Sequence, residues 1–226
     1  MALHFVRTSD KKSLSDEGYD KNVKEYFQEM MKTGVLEEVE EEDLENENCY
    51  YLAWFSVRTG TGVNDQGKFR LVFNASGKIN GLSLNDCLTK SPEITSSILN
   101  AAYAFRERKF VVTSDIKKMF FQFEIPEEQR NYLRILVHKD FDITKPLIVL
   151  RFARIAFGVR QASTMASLGV KLCARDNTAN VSPETLYAVL NQLMVDDFVH
   201  TTDTAAEAAK TGLELVKLGK TCNLNF

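Results

Sequence analysis

Two adjacent aspartates, Asp196 and Asp197, interrupt the apolar run Leu193-Met194-Val195-Asp196-Asp197-Phe198-Val199. A third, Asp115, closes another apolar run, Phe110-Val111-Val112-Thr113-Ser114-Asp115-Ile116. A buried carboxylate is costly unless it is paired or holds a metal ion. Each feature alone has an ordinary reading: an Asp-Asp pair is a solvated turn, and an aspartate at a strand end caps a helix. Three carboxylates on strand-like ends, with the aromatics Phe120 and Phe121 after the first, together suggest a two-metal phosphoryl-transfer site. Such a site needs oxygen ligands converging on two divalent ions about 3.5–4 Å apart. Magnesium is satisfied by a few carboxylates plus substrate phosphates and water. One ion would lower the pKa of an attacking hydroxyl, and the other would neutralise the triphosphate and the leaving oxygen.

The elements around these residues must bring the two runs together. Helical spacing of Val23, Tyr26, Phe27, Met30 and Met31 predicts a helix over residues 20–33, with Asp20 as its N-cap and Gly34 at its end. The acidic stretch from Glu37 to Glu47 reads as a solvated loop or helix face. Residues 50–58 and 68–73 read as two strands of a hairpin around a Gly/Asn/Asp turn from Gly60 to Gly67, with basic residues near its tip. A helix is expected over residues 91–108, with Ile94, Ile98, Ala101, Ala102 and Phe105 facing inward. A buried strand over 109–116 carries Asp115. Strands over 132–137 and 148–152 form an antiparallel pair. Helices follow over 163–175 and 182–193, then the Asp-Asp turn with a strand over 194–200. A last helix over 204–218 turns Leu213 and Val216 inward and is stopped by Gly219. Residues 222–226 begin another strand.

This order predicts an α+β fold, an antiparallel sheet with helices packed on one face. The expected organisation is a loose leader over residues 1–19, a smaller lobe over 20–110 and a main domain over 111–226.

With 226 residues the chain can build one sizeable core, or a main domain plus a smaller lobe. The net charge of -3 hides an asymmetry: residues 1–48 hold 14 acidic and 6 basic residues, and residues 49–226 hold 17 acidic and 22 basic. A mildly basic body is compatible with a phosphate backbone without demanding one. The longest apolar runs, such as Leu147-Ile148-Val149-Leu150, are too short to span a bilayer, and Met1 to Arg7 lacks the apolar stretch of a signal peptide. The expectation is an intracellular, cytoplasmic protein with no membrane partner. Cys49, Cys87, Cys173 and Cys222 form no CxxC element and have no histidine at zinc-ligand spacing, so they read as reduced, mostly buried thiols.

Several blocks resemble reverse transcriptases. Ser114-Asp115-Ile116-Lys117-Lys118-Met119-Phe120-Phe121-Gln122 is similar to their first catalytic motif, Phe157-Gly158-Val159-Arg160-Gln161-Ala162-Ser163 to their Phe-Gly-Leu segment, and Met194-Val195-Asp196-Asp197 to their Tyr-Val-Asp-Asp box. Phe69-Arg70-Leu71-Val72-Phe73-Asn74-Ala75-Ser76 and Leu82-Ser83-Leu84-Asn85-Asp86-Cys87-Leu88 are closer to one branch, the Bel/Pao-type LTR retrotransposon polyproteins. The resemblance implies a fingers-and-palm polymerase core with an antiparallel palm sheet. It implies two Mg²⁺ or Mn²⁺ ions on Asp115, Asp196 and the more peripheral Asp197, with the carbonyl of Ile116 as a further ligand and the amides after it holding the triphosphate. Lys68 and Arg70 would contact that triphosphate, Phe120 would lie under the deoxyribose and exclude a 2′-hydroxyl, and Phe157 and Gly158 would line the nucleotide. Arg160 would face the template and Met194 the primer. The implied partners are an RNA or DNA template with an annealed primer, a dNTP, and the remainder of a retroelement polyprotein.

The chain departs from the family pattern at several points. Met194 replaces the usual Tyr, Ala156 and Ser163 stand where Pro is common, Asn74 replaces an Asp, and the Trp54-Phe55 stretch lacks a common Pro-His pair. A basic residue expected after the last Gly, thought to protonate pyrophosphate, is matched poorly by Lys220, and thumb and RNase H are expected to be absent. Three readings follow. The first is template-directed DNA synthesis by a nucleotidyltransferase of reverse transcriptase type. The second is a truncated, inactive retroelement fragment with weak nucleic-acid binding. The third, another two-metal palm enzyme such as a nucleotide cyclase, leaves the upstream blocks unexplained.

Overall fold

Residues 1–59, 68–92, 94 and 97–226 are described by the computed structural model. In chain order their elements are α1 (Ala2–Ser15), α2 (Glu17–Lys32), β1 (Leu36–Glu38), α3 (Glu41–Leu44), β2 (Ala53–Thr59), β3 (Lys68–Asn74), α4 (Leu84–Cys87) and α5 (Ile98–Ala104). There follow β4 (Phe110–Asp115), α6 (Glu127–Arg130), β5 (Arg134–His138), β6 (Leu147–Phe152), α7 (Ala162–Asp176), α8 (Pro183–Gln192), β7 (Leu193–Met194), β8 (Asp197–Thr202) and α9 (Ala205–Cys222). Residues 1–89 and 124–160 form one unit, and residues 90–123 and 161–226 form a second. The expected turn from Gly60 to Gly67 lies outside the described residues.

The first unit holds the antiparallel sheet β1-β6-β5 and the hairpin β2-β3. Helix α2 starts one turn earlier than its apolar spacing suggests, because Asp16 and not Asp20 accepts the Tyr19 amide at 2.9 Å. Tyr19, Val23, Phe27 and Met30 are its buried stripe, and the Phe27 ring packs edge-on to Trp54 and stacks on Phe141. The expected loose leader contains α1 instead. Its Val6 is buried, and its Ser9 hydroxyl shares a 3.0 Å hydrogen bond with Tyr19, so a mostly polar helix is held by a narrow inward face.

The acidic stretch is not simply solvated. Arg134 and Arg151 are 0% and 4% exposed, and a buried guanidinium must find partners. Arg151 donates to Glu37 and Asp43 at 2.6 Å each, and Arg130 donates to Glu37 at 2.9 Å. Arg134 donates to the Asp43 carbonyl and, at 3.1 Å, to Asn131, which also bonds the Asp43 carboxylate. Glu37 and Asp43 are therefore the counter-charges of Arg151, and Glu37 also that of Arg130, while Arg134 is held by neutral oxygens.

In the second unit the sheet order is β4-β8-β7, all antiparallel, with α5, α7, α8 and α9 around it. Strand β4, expected to be buried, is an edge strand with β8 as its sheet neighbour, and Phe110 and Val111 are exposed. Helix α5 is shorter than the apolar pattern implies. Ala101 and Ala104 are buried while Ile98 and Phe105 face solvent, and positions 93, 95 and 96 of the expected helix lie outside the described residues. Helix α9 buries Thr211, Leu215, Leu218 and Gly219 and leaves Leu213 and Val216 exposed, so its inward stripe is rotated from the expected one. Gly219 does not stop the helix, which runs to Cys222 and ends at Asn223 in the left-handed region. A Cβ on Gly219 would lie 2.6 Å from the Leu224 carbonyl oxygen, so its bare Cα lets the chain fold back, with the Leu224 amide bonded to the Gly219 carbonyl at 2.8 Å.

The cysteines also differ from expectation. Cys173 on α7 and Cys222 at the end of α9 form a disulfide, Cys87 is exposed and Cys49 half-buried. Among the described residues no helix is long and apolar enough to cross a membrane.

Candidate active site

The three aspartates all lie in the second unit, at one end of its sheet. Leu193 and Phe198, each fully buried, pair across β7 and β8 and pin a two-residue turn made of Val195 and Asp196. Val195 adopts φ 57°, a region that a β-branched residue enters only under strain. Strand β4 pairs with β8 so that Asp115 stands opposite Asp197, and Met194 pairs with Asp197 from the other side. Beyond the ladder, the Ile116 amide donates to the Asp196 carbonyl at 3.0 Å, which ties the end of β4 to the turn. Ile116 itself is buried and acts as the anchor behind Asp115.

Leu193, Phe198 and Ile116 are buried as the apolar runs predict, but most of β4 and the carboxylates are not: Phe110, Val111, Asp115 and Asp197 are exposed and Asp196 is half-buried. Partial burial nevertheless pushes the Asp197 carboxyl above its ordinary value, and the charges of Asp196 and Asp115 push it the same way. The three groups share one electrostatic neighbourhood. Among the described residues, no three His, Cys, Asp or Glu side chains are gathered closely enough to hold a metal ion.

After Ile116 the chain makes a tight loop. Lys118 is left-handed at φ 52° and starts a 3-10 turn over Met119–Gln122. The Ile116 carbonyl accepts the Met119 amide at 3.1 Å, leaving one lone pair uncommitted by that bond, and Met119 is buried beneath the loop. The Lys117 amide, one of those assigned by resemblance to the triphosphate, donates to the Asn225 carbonyl at 2.8 Å. Phe120 and Phe121 are both half-buried.

The remaining candidates lie in the first unit. Lys68 and Arg70 are on β3, in register with Thr59 and Val57, and Arg70 is exposed. Phe157 is half-buried, and Gly158 and Arg160 are exposed on the segment after β6. Gly158 has φ 86°, and a Cβ there would lie 2.0 Å from the Phe73 carbonyl oxygen, so only glycine permits this approach to the end of β3. In the sequence Asn85 stands out only as part of the Leu82–Leu88 block. In the structure its side chain bonds the backbone of both Gly158 and Arg160. The signal was present, since a carboxamide is both donor and acceptor, but its partners 73 and 75 residues away were not readable.

No protein-family model and no curated protein matches the chain. Solved structures do. The selenomethionine-labelled CSH mutant of prototype foamy virus protease-reverse transcriptase aligns with a TM-score of 0.62 at 12% identity, covering 88% of this chain and 22% of that one. The native form of the same protein gives 0.61 at 13% identity, covering 87% and 21%. The foamy viral protease-reverse transcriptase dRH in complex with double-stranded DNA gives 0.59 at 15% identity, covering 85% and 28%. The chain thus spans between 21% and 28% of the length of these structures. Its fold is that of a reverse transcriptase over this part.

Proposed function

We propose that this chain carries the catalytic core of an RNA-directed DNA polymerase derived from a Bel/Pao-type retrotransposon. The observation that carries the reading is the β4–β8 register, which sets Asp115 opposite Asp197 beside the strained Val195-Asp196 turn. The second unit is read as palm-like. The first is read as fingers-like and includes residues 124–160, so it divides the chain more finely than a single cut near residue 110.

The donor set fits hard divalent cations: all three side chains are carboxylates, and they repel one another when no cation is bound. Asp115 and Asp197 are exposed and Asp196 half-buried, so side-chain rotation on a fixed backbone can bring the carboxylates together. Asp115, Asp196 and Asp197 would hold two Mg²⁺ or Mn²⁺ ions, with the Ile116 carbonyl contributing the lone pair that the Met119 amide does not use. When bound, such ions supply charge neutralisation for the phosphates and a lowered pKa for a primer 3′-hydroxyl. Lys68 and Arg70 would grip the triphosphate of a dNTP, Arg through its planar fork. Phe120 would pack under the sugar, Phe157 and Gly158 would line the nucleotide, and Arg160 and Met194 would contact template and primer. Template sequence is copied by base pairing, so the protein needs to recognise only backbone and shape.

The test is single-nucleotide extension of an annealed primer on poly(rA) with dTTP and Mg²⁺ or Mn²⁺, beside Asp196→Asn. Extension by the natural chain and none by the variant is the expected result. Extension retained in the variant would sink the reading. One observation favours a catalytically inactive reading, in which the chain binds nucleic acid weakly without turnover: the Lys117 amide is already engaged by Asn225. Failure of both proteins to extend, with both folded by circular dichroism, would move the assignment there.

A further inference from the structure

The segment Phe157–Arg160 contains no proline to stiffen it. Hydrogen bonds hold it instead. Asn85 is 8% exposed, and its Nδ2 donates to the Gly158 carbonyl at 2.9 Å and to the Ser76 hydroxyl at 2.8 Å. Its Oδ1 accepts the Arg160 amide at 2.7 Å. Both donor hydrogens of the carboxamide and one acceptor site are in use, and they clamp the backbone on either side of Val159. Asn85 is itself fixed: its amide donates to the Ala75 carbonyl at 3.0 Å, and the short helix α4 that carries it begins with a capping box between Ser83 and Asp86. The Arg160 guanidinium adds a 3.3 Å bond to the Leu88 carbonyl, so the turn is fastened to both ends of α4's neighbourhood.

We propose that Asn85 is the positioning residue for this turn. It sets Gly158 against the end of β3 and so fixes the backbone that carries Phe157 and Arg160; that these two serve nucleotide and template rests on the polymerase reading above. The chemistry demands an amide. Aspartate keeps the acceptor for Arg160 but turns a second oxygen toward the Gly158 carbonyl. Alanine loses all three bonds.

The experiment compares the full chain with Asn85→Ala, Asn85→Asp and the milder Ser76→Ala. Two quantities are read: the rate of tryptic cleavage after Arg160, and the dTTP KM and kcat in primer extension. Loss of the clamp is expected to speed cleavage after Arg160 about tenfold and to raise KM by a similar factor, the size expected for buried hydrogen bonds, with kcat changed much less. Ser76→Ala, which keeps both bonds to the turn, should lie near the natural chain in both. Because a general loss of fold would speed cleavage at every Lys and Arg, acceleration confined to Arg160 is the supporting result. A natural chain that does not extend primers overturns the polymerase reading alone, and the cleavage arm still decides whether Asn85 holds the turn. A natural chain that extends, with Asn85→Ala and Asn85→Asp unchanged in KM or in cleavage, overturns the role of Asn85 alone.

Discussion

Asp115 and Asp197 are register partners across β4 and β8, and two like charges so placed repel unless something positive lies between them. A divalent cation should therefore stabilise the natural chain. At ten times its dissociation constant, the linkage amounts to about 1.4 kcal/mol. The expected outcome is a melting temperature that rises with Mg²⁺ or Mn²⁺ in the natural chain and stays flat in Asp115→Asn. Equal shifts in both proteins would show that the ion binds elsewhere.

The same repulsion has a pH signature. Burial first, and then the charges of Asp196 and Asp115, raise the folded-state pKa of Asp197. A raised carboxyl contributes stability that is fully present below its ordinary value and lost as pH rises through the folded value. Without divalent ions, thermal melts between mildly acidic and neutral pH should show the natural chain losing ground to Asp197→Asn as pH rises. A parallel pair of profiles would count against the coupling.

In the first unit, Arg151 is 4% exposed and bonds Glu37 and Asp43. Removing a partner leaves a buried guanidinium under-compensated, whereas replacing the arginine by an apolar residue of similar size removes the demand as well. Glu37→Ala, which also takes from Arg130 the carboxylate it pairs with, should cost about 2–3 kcal/mol in urea unfolding, and Arg151→Met distinctly less. A larger loss for Arg151→Met would mean that the cluster is worth more than its desolvation.

What sequence could and could not reveal follows the range of the forces involved. Periodicity placed α2, the β2–β3 hairpin and the β5–β6 pair, because each is set by residues within a few positions or across one turn. The apolar runs also drew attention to Asp115, Asp196 and Asp197; the ladder pairs Asp115 with Asp197, and Asp196 lies in the adjoining turn. It misplaced the inward faces of α5 and α9, where exposed Ile98, Leu213 and Val216 are as apolar as the buried residues beside them. Which face is inward depends on elements far away in sequence. The Glu37–Arg151 pair spans 114 positions and the Cys173–Cys222 bond 49, and neither partner's own surroundings point to the other. Asp16 as the cap of α2 was a nearer miss, since Asp16 and Asp20 are chemically equivalent and their backbone conformation decides between them.

The disulfide joins α7 to the last residue of α9 across 49 positions. Cross-linking a loop of that length restricts the unfolded chain by about 4 kcal/mol in the chain-entropy picture, with measured values more often 2–4. Cys222→Ser should lower stability by an amount in that range under non-reducing conditions. Adding a reductant to the natural chain should bring it to the variant's level, and an unchanged melt on reduction would show that the bond carries no stability.

Gly158 and Gly34 separate two reasons for needing glycine. Both have positive φ, 86° and 67°, but an added Cβ at Gly34 meets nothing within 4 Å, while at Gly158 it would lie 2.0 Å from the Phe73 carbonyl oxygen. Gly34→Ala therefore pays only the left-handed penalty, about 1–2 kcal/mol. Gly158→Ala adds a clash with backbone that cannot rotate away, and the turn must leave β3, breaking the Asn85 bonds to Gly158 and Arg160 as it goes. The expected outcome is a small drop in stability for Gly34→Ala with the Arg160 peptide bond still protected from trypsin. Gly158→Ala should lose that protection and lose more than about 3 kcal/mol in urea unfolding, where strain and broken hydrogen bonds combine. Equal costs for the two substitutions would mean that backbone conformation alone, and not the approach to Phe73, requires glycine at 158.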